Sequence, residues 1–167
     1  MLILGIDPGM AETGWGIICI EEEKPSKSKK EKLGNQLTLV SYGCIKTLVD
    51  HTIPKRLLLL KEQLGDVIKK HKPDQAAVEQ LFFGQNSKTA MMVSQARGVL
   101  IVTIAEAQMP VFEYQGLKVK LGLTGNGRAE KNLVQEKVKI MLNLKDSPKP
   151  QHAADALAMA IYHARSL

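Results

Sequence analysis

The chain has 167 residues, 44% of them hydrophobic and 24% charged, which is enough for one hydrophobic core and typical of a globular domain. No apolar run reaches the roughly 18 residues of a membrane span, so no membrane partner is expected. The formal net charge of +6 is compatible with a polyanionic partner, although many basic proteins bind none.

The chain begins with a nearly all-apolar run, residues 2–7, that ends at Asp7-Pro8-Gly9. This pattern predicts a strand buried on both faces and then a turn, rather than a signal peptide. Residues 14–20 and 37–45 predict two further strands, adjacent and antiparallel. Between them, residues 21–36 are rich in lysine and lack apolar periodicity. We expect a flexible, solvated hairpin extension there, whose lysines are a secondary candidate for polyanion contact.

Helices and strands then alternate along the chain. Pro54 opens a helix with leucine, valine and isoleucine on one face, which ends before Lys72-Pro73. Residues 74–79 and 110–114 predict strands, and residues 87–107 predict a long helix between them.

The remaining segments complete a single α/β domain, residues 1–167. Residues 129–142 predict an amphipathic helix and residues 151–165 an alanine-rich one, whereas the glycine- and lysine-bearing residues 116–128 are left unassigned. The element order predicts a mixed five-stranded sheet with helices packed on its faces. No internal repeat or second-domain boundary is visible.

Cys19 and Cys44 both fall inside predicted strands. Two cysteines in a chain with no leader indicate reduced, buried thiols and a cytosolic (cytoplasmic) address. Because no C-x-x-C or Cys/His zinc pattern is present, structural zinc is not expected.

Four residues carry the functional interpretation: Asp7, Glu79, His152 and Asp155. Asp7 and Glu79 end apolar strands, and His152 and Asp155 are three residues apart on one face of the last helix. Carboxylates are the hard oxygen ligands that Mg²⁺ or Mn²⁺ prefers, and two such ions can flank the attacking and leaving oxygens of a phosphodiester. We therefore predict that all four residues are catalytic and ligate metal.

Each of these residues also has a simpler explanation. Asp7 before Pro-Gly is a common turn former, Glu79 fits an exposed strand end, and His152 and Asp155 fit the first turn of a helix. The run 5–9 is also similar to the phosphate loop of actin-like sugar kinases, but the further motifs of those enzymes are missing.

A pair of aromatic residues, Phe82-Phe83, follows Glu79 in a predicted loop. Loop aromatics beside an acidic cluster can stack on bases or wedge between them. We interpret one of the two as a packing residue and the other as a DNA contact.

The segment 115–139 has a local excess of positive charge, with six basic residues against two acidic ones. Together with its glycines, this excess suggests a surface that grips phosphates. A solvated helix face explains Lys137 and Lys139 better than it explains the others. The basic residues are Lys118, Lys120, Arg128, Lys131, Lys137 and Lys139.

Taken together and in order, six motifs resemble the RuvC family of Holliday-junction resolvases. The resemblance runs from residue 2 to about residue 165, with family-like spacing. The motifs are Ile6-Asp7-Pro8-Gly9 with Thr13-Gly14-Trp15-Gly16, Val78-Glu79-Gln80-Leu81-Phe82, Ser94-Gln95-Ala96-Arg97-Gly98-Val99, Pro110-Val111-Phe112-Glu113-Tyr114, Gly127-Arg128-Ala129-Glu130-Lys131 and Gln151-His152-Ala153-Ala154-Asp155-Ala156-Leu157-Ala158.

The resemblance implies a ribonuclease-H-like fold, a homodimer, and paired Mg²⁺- or Mn²⁺-dependent nicks in a four-way DNA junction, with two ions per site. It also suggests a branch-migration motor as a partner. Asp7, Glu79 and Asp155 fall on the family's catalytic carboxylates, and His152 falls where members carry an aspartate or a histidine. The lysine-rich segment 24–32 is longer than the family's usual hairpin.

The same resemblance assigns DNA contacts. Phe82 matches the aromatic residue that inserts at the junction, and Lys120 and Lys131 match basic residues near the cleaved strand. Local charge adds Lys118 and Arg128 to this set of DNA-binding candidates.

Two further expectations follow. His152 either completes a metal coordination sphere or helps to deprotonate water, and the apolar face of the helix at residues 87–107 forms the C₂ dimer interface. Two other functions stay open: a related ribonuclease-H-like nuclease with a different nucleic-acid substrate, or a catalytically inert DNA-binding protein.

Overall fold

The computed structural model describes residues 1–21, 36–80 and 87–167. Two predictions lie outside these ranges: the hairpin extension, of which only the end residues Glu21 and Gln36 are described, and the aromatic residue Phe82. Within the described ranges, the chain forms five strands and five helices. Their bounds are β1 Leu2–Asp7, β2 Glu12–Glu21, β3 Gln36–Lys46, α1 Ile53–His71, β4 Gln75–Gln80, α2 Ser87–Glu106, β5 Val111–Gln115, α3 Gly116–Thr124, α4 Lys131–Met141 and α5 Gln151–Ala164.

The strands form one mixed sheet in the order β3-β2-β1-β4-β5. The first three strands pair antiparallel, and β1, β4 and β5 run parallel. The β1–β4 register ends at Ile6 opposite Val78, so that Asp7 and Glu79 follow side by side at the same edge. The predicted mixed five-stranded sheet is confirmed.

Helices cover both faces of the sheet, as predicted, because the central strands are apolar on both sides. On one face Ile3 and Ala77 pack with the buried residues of α3, α4 and α5. On the other face Leu4 and Val78 pack with α1 and α2. Two hydrophobic cores therefore hold the strands that carry Asp7 and Glu79.

Glycines in β1 and β2 let α5 approach the sheet unusually closely. A Cβ added at Gly5 would collide with the backbone carbonyl of Ala156, and one added at Gly14 would collide with that of His152. The small alanines of α5 complete this fit. The amino-terminal turn of α5 is thereby brought against the end of β1.

A buried histidine ties the other end of α5 to the sheet. Tyr114 donates its hydroxyl to Nδ1 of His163 at 2.7 Å, and Nε2 of His163 donates to Oε1 of Gln75 at 2.8 Å. Burial lowers the pKa of His163, which favours the neutral ring that this donor–acceptor arrangement requires. The network fixes α5 against β4 and β5.

Helix α3 is the main element that sequence patterning left unassigned. Its buried residues, Val119 and Leu123, are four apart, but the glycines around them weaken the helical signal. Gly125, with a φ of 77°, ends the helix in the left-handed conformation.

The other predicted elements are present, and their bounds differ from the predicted ones by no more than two residues at either end. Among the described residues, no helix is long and apolar enough to cross a membrane.

Candidate active site

Two strand ends supply the first two acids of the site. Asp7 is the last residue of β1 and only 8% exposed, and Glu79 is the penultimate residue of β4. Because β1 and β4 are parallel neighbours, their carboxyl ends meet at one edge of the sheet. The side chain of Glu79 lies above the start of α3, where a Cβ on Gly116 would collide with its carboxylate.

Helix α5 brings the other two residues to the same edge. Nδ1 of His152 lies 2.6 Å from Oδ2 of Asp7, a hydrogen bond that spans 145 residues of sequence. Asp155, one turn further along the helix, accepts a hydrogen bond of 3.3 Å from the side-chain amide of Gln151. Asp155 also lines the same small cavity as Glu79, so all four predicted residues lie at the same edge of the sheet.

The acids lie close enough to disturb one another's protonation. Burial, the charge of Asp7 and a hydrogen bond with the Asp7 carboxyl raise the pKa of Glu79 to about 7. Burial and then the charge of Asp7 also raise the pKa of Asp155. The hydrogen bond to Asp7 raises the pKa of His152. The site thus holds more negative charge than the protein around it neutralises.

Lys120 is the predicted basic residue that reaches the acids. It lines a small cavity of about 80 Å³ together with Glu79, Gly116 and Asp155. Its positive charge acts to lower the pKa of both carboxyls, but burial and the other acids outweigh it. A single lysine does not neutralise three carboxylates.

The donor set fits hard divalent cations in its chemistry. Three carboxylates and an imidazole are suitable ligands for Mg²⁺ or Mn²⁺, and their excess negative charge is what a cation would relieve. Within the described ranges, however, no three His, Cys, Asp or Glu side chains form a ready-made cage for one ion. In their present conformations Asp7 and His152 bind each other instead.

The other predicted DNA contacts lie apart from the acids. Lys118 on α3, Arg128 before α4 and Lys131 at the start of α4 are all exposed. None of these three residues lines the cavity that Lys120 shares with Glu79 and Asp155. Phe82 lies outside the described residues.

One acid near the site, Glu12 on β2, is not indicated by any sequence pattern, nor is its ion pair with Lys46 on β3. Oε2 of Glu12 lies 3.7 Å from Nε2 of His152, and its Oε1 lies 3.1 Å from Nζ of Lys46. Glu12 and Lys46 are directly opposite in the β2–β3 register. Only strand pairing reveals this arrangement, because 34 residues separate the two in sequence.

Comparisons with known proteins place this geometry in context. The family model for "Crossover junction endodeoxyribonuclease RuvC" matches residues 3–163. A protein of that name from Desulfitobacterium hafniense is 45% identical over 167 residues, which are all of this chain and 94% of the relative. Another, from Petrotoga mobilis, is 42% identical over 98% of this chain and 93% of the relative.

Solved structures give the same result. Thermus thermophilus RuvC in complex with a Holliday junction substrate matches with a TM-score of 0.84 and 33% identity, over 98% of this chain and 93% of that one. The yeast mitochondrial Holliday junction resolvase Ydc2 matches with a TM-score of 0.67 at 13% identity, over 98% of this chain and 77% of that one, a likeness of fold alone. The predicted ribonuclease-H-like fold is confirmed.

Proposed function

Because this chain belongs to the RuvC family of crossover junction endodeoxyribonucleases, we propose that it resolves four-way (Holliday) DNA junctions. It cuts two opposed strands by paired, symmetric nicks during DNA recombination and repair. The Thermus thermophilus relative, described in complex with a Holliday junction substrate at 33% identity, supports this choice of substrate.

One observation carries the proposal. Asp7, Glu79 and Asp155 come from three distant parts of the chain and lie close together, and burial together with the two neighbouring acids raises the pKa of Glu79 to about 7. A structural role alone does not account for such an arrangement, because the mutual repulsion of the acids costs folding free energy. A site that binds cations and phosphate accounts for it.

Asp7, Glu79, Asp155 and His152 would hold two Mg²⁺ ions, for which Mn²⁺ can substitute. When bound, the ions supply Lewis-acid stabilisation of the charge that develops on the attacking and leaving oxygens. Asp7 holds Nδ1 of His152 and so fixes the orientation of its ring. The other ring nitrogen, Nε2, is the atom through which His152 can ligate or accept a proton from water.

Basic residues on the α3 side bind the DNA. Lys120 lies beside the acids and meets the phosphate nearest to the cut. Lys118, Arg128 and Lys131 are exposed and neutralise neighbouring backbone phosphates. Phe82 inserts at the junction, as the resemblance implies.

A homodimer would supply the second active site. Helix α2 presents an exposed stripe without a charge, spaced by four and three residues in alternation, as in a helix–helix seam. Gly98, at the middle of the stripe, permits close approach of a second backbone. The α2 stripe consists of Met91, Gln95, Gly98, Val102 and Ala105. Two-fold packing of this stripe would relate the two cuts by symmetry.

Three further parts complete the proposal. Residues 1–167 act as one nuclease domain, supported by a family match that spans residues 3–163. The protein works in the cytosol, which is supported by the free thiols of Cys19 and Cys44. A branch-migration motor is its partner by family resemblance.

The test is cleavage of a synthetic mobile four-way junction with and without Mg²⁺ or Mn²⁺, with the product strands resolved. We expect paired nicks only with the cation, and an Asp7→Asn variant that binds the junction but does not cut it. A linear duplex of the same sequence is the control. Equal cutting of the duplex would indicate a different nuclease, and binding without any cation-dependent nick would indicate an inert DNA-binding protein.

A further inference from the structure

Arg97 belongs to a motif that the proposed chemistry leaves unexplained. Its side chain is 19% exposed, and it lies on α2 between the buried residues Ala96 and Leu100. Nε of Arg97 donates a hydrogen bond of 3.1 Å to the backbone carbonyl of Glu79. Its Nη2 lies 2.6 Å from Oε2 of Glu113 on β5.

Arg97 reaches Glu79 from the face opposite the active site. The neighbours of Glu79 show this, since Val78 packs in the core beneath α1 and α2 whereas Ala77 packs beneath α5. Side chains alternate along a strand, so the Glu79 carboxylate points to the α5 side. The guanidinium therefore holds the backbone of this residue while the opposite face of the sheet presents its carboxylate.

At Glu79 the backbone of β4 is paired with β5, opposite Tyr114, but no longer with β1. The pairing of β4 with β1 ends at Val78, one residue before Glu79. Pairing with β5 continues, and places Glu113 directly opposite Val78. Arg97 donates a hydrogen bond to β4 and forms an ion pair with β5, so it links these two strands at the point where the pairing of β4 with β1 has ended.

We propose that Arg97 is a positioning residue for the nuclease reaction, which fixes the end of β4 and thereby the place of the Glu79 carboxylate. The inference rests on the proposed function and deepens it. Arg97 precedes Gly98 of the α2 stripe, so the same helix that would pack against a second copy also holds the acid in place. A planar guanidinium suits the task, because its Nε can donate to the Glu79 carbonyl while its charge pairs with the Glu113 carboxylate at a fixed separation.

The experiment compares Arg97→Met, Arg97→Lys and Glu113→Gln with the wild-type protein on a four-way junction. The single-turnover cleavage rate is measured at saturating Mg²⁺, and the junction dissociation constant is measured in the absence of divalent ions. Mn²⁺ affinity without DNA is measured by calorimetry, as a readout independent of activity. Lys61→Met is the matched control, because it removes an ion pair of 2.9 Å between α1 and Glu106 of α2, away from the site.

We expect Arg97→Met to lower the cleavage rate by roughly 10- to 100-fold, because small displacements of a reacting geometry have effects of this size. Mn²⁺ affinity should fall several-fold, and the junction dissociation constant should change by less than about twofold. Arg97→Lys should recover part of the lost cleavage rate, because a lysine can still make one of the two contacts of Arg97. Glu113→Gln should cost only a few-fold, since the bond to Glu79 remains.

Arg97→Met with the wild-type rate and Mn²⁺ affinity would overturn the inference, and so would equal losses in Lys61→Met. If Arg97→Met does not fold, Arg97→Lys decides the matter, because a folded lysine variant with the full wild-type rate also refutes the positioning role. Failure of the wild-type protein to cut the junction would instead refute the proposed function. The two failures are therefore distinguishable.

Discussion

Asp7 connects the acids of the site to its imidazole. It accepts a hydrogen bond from His152 at 2.6 Å and raises the pKa of Glu79 through its charge and a hydrogen bond. A partly buried cluster of this kind destabilises the empty protein, because its carboxylates repel one another in a poorly solvated place. A cation that binds to such a cluster offsets the repulsion and stabilises the folded protein.

The first prediction concerns Glu79→Gln. The pKa of Glu79 rises from 4.5 to about 7 on folding, so the folded state binds more protons between these values and stability falls as pH rises through this window. The glutamine side chain does not ionise, so the substitution removes this pH-dependent loss of stability. At pH 8, without divalent ions, the variant should be more stable by on the order of 2 kcal/mol, or roughly 4–8 °C in Tm.

Thermal denaturation at pH 4.5 and pH 8 measures this effect, with Glu62→Gln on the exposed face of α1 as the control. The gain should be largest at pH 8, and should shrink toward pH 4.5. Mg²⁺ should raise the Tm of the wild-type protein more than that of Glu79→Gln. A variant less stable than wild type at pH 8 would show that burial and the neighbouring acids do not raise the pKa of Glu79 as described.

The second prediction concerns His152→Asp. If the position serves as a metal ligand, an aspartate restores an oxygen donor there and the variant should still cut junctions. Because the hydrogen bond to Asp7 raises the pKa of His152, the wild-type histidine loses its proton at a higher pH than usual. The wild-type rate should therefore gain more between pH 6.5 and pH 8.5 than the rate of the variant.

Cleavage rates over this pH range at saturating Mg²⁺ provide the measurement. His152→Ala, which lacks both a ligand and a base, is the companion variant and should lose at least about tenfold in rate. If His152→Asp is as inactive as His152→Ala at every pH, the imidazole has a specific role that a carboxylate cannot replace.

At the scale of elements, the contact of α5 with the sheet decides the geometry of the site. The glycines of β1 and β2 allow the backbone of α5 to approach, and His152 and Asp155 then lie beside the end of β1. The His163 network at the far end holds the same helix against β4 and β5. Helix α5 therefore acts as a rigid support for half of the site.

The third prediction tests this support through Gly14→Ala. The added methyl group collides with the backbone carbonyl of His152, so the start of α5 must move away from Asp7. We expect a destabilisation of roughly 1–3 kcal/mol and a cleavage rate lower by at least about tenfold. Thermal denaturation and junction cleavage measure the two effects.

Gly65→Ala is the matched control for Gly14→Ala. Gly65 lies inside α1, and the nearest atom to an added Cβ is a methyl group of Thr103 at 4.0 Å. This replacement should stabilise the protein by up to about 1 kcal/mol, since alanine is the better helix former. Wild-type stability in Gly14→Ala would contradict the close approach of α5.

At the scale of the whole molecule, the proposed dimer relates two active sites that must cut opposed strands. Exposed apolar residues of α2, such as Met91 at 63% and Val102 at 54% exposure, make its stripe suitable for burial against a copy of itself. A homodimer interface of this kind is built from the same residues of both subunits, so one substitution acts twice.

The fourth prediction is therefore that Val102→Lys weakens the dimer. Two like charges placed in the seam should raise its dissociation constant at least about tenfold, equivalent to about 1.4 kcal/mol. Sedimentation equilibrium measures the change, with Ile140→Lys on α4 as the control because Ile140 is 68% exposed outside the stripe. An unchanged dissociation constant in Val102→Lys would show that the dimer interface lies elsewhere on the protein.

Dimer dissociation also has a functional consequence. A monomer should leave many junctions with a single nick, because the second cut needs a second site held by symmetry. A supercoiled cruciform plasmid separates the outcomes, since one nick gives the open circle and paired nicks give the linear form.

The amino-acid sequence by itself determined the element types and the identity of the acids. Apolar runs that end in Asp7 and Glu79 indicate buried strands with polar exits, and the spacing of His152 and Asp155 indicates one helical face; both are local patterns with periods that can be read directly. Helix α3 cannot be predicted from such local patterns, because its two glycines and its short apolar pattern are equally typical of a loop.

Only the tertiary structure decided which groups touch. The bond between His152 and Asp7 spans 145 residues, and the pairings of Glu12 with Lys46 and of Arg97 with Glu79 depend on strand register and on helix placement. Local periodicity contains no distance between remote segments, whereas hydrogen bonds and pKa shifts depend on distances of a few ångströms. Packing both faces of the sheet sets those distances, and with them the chemistry of the site.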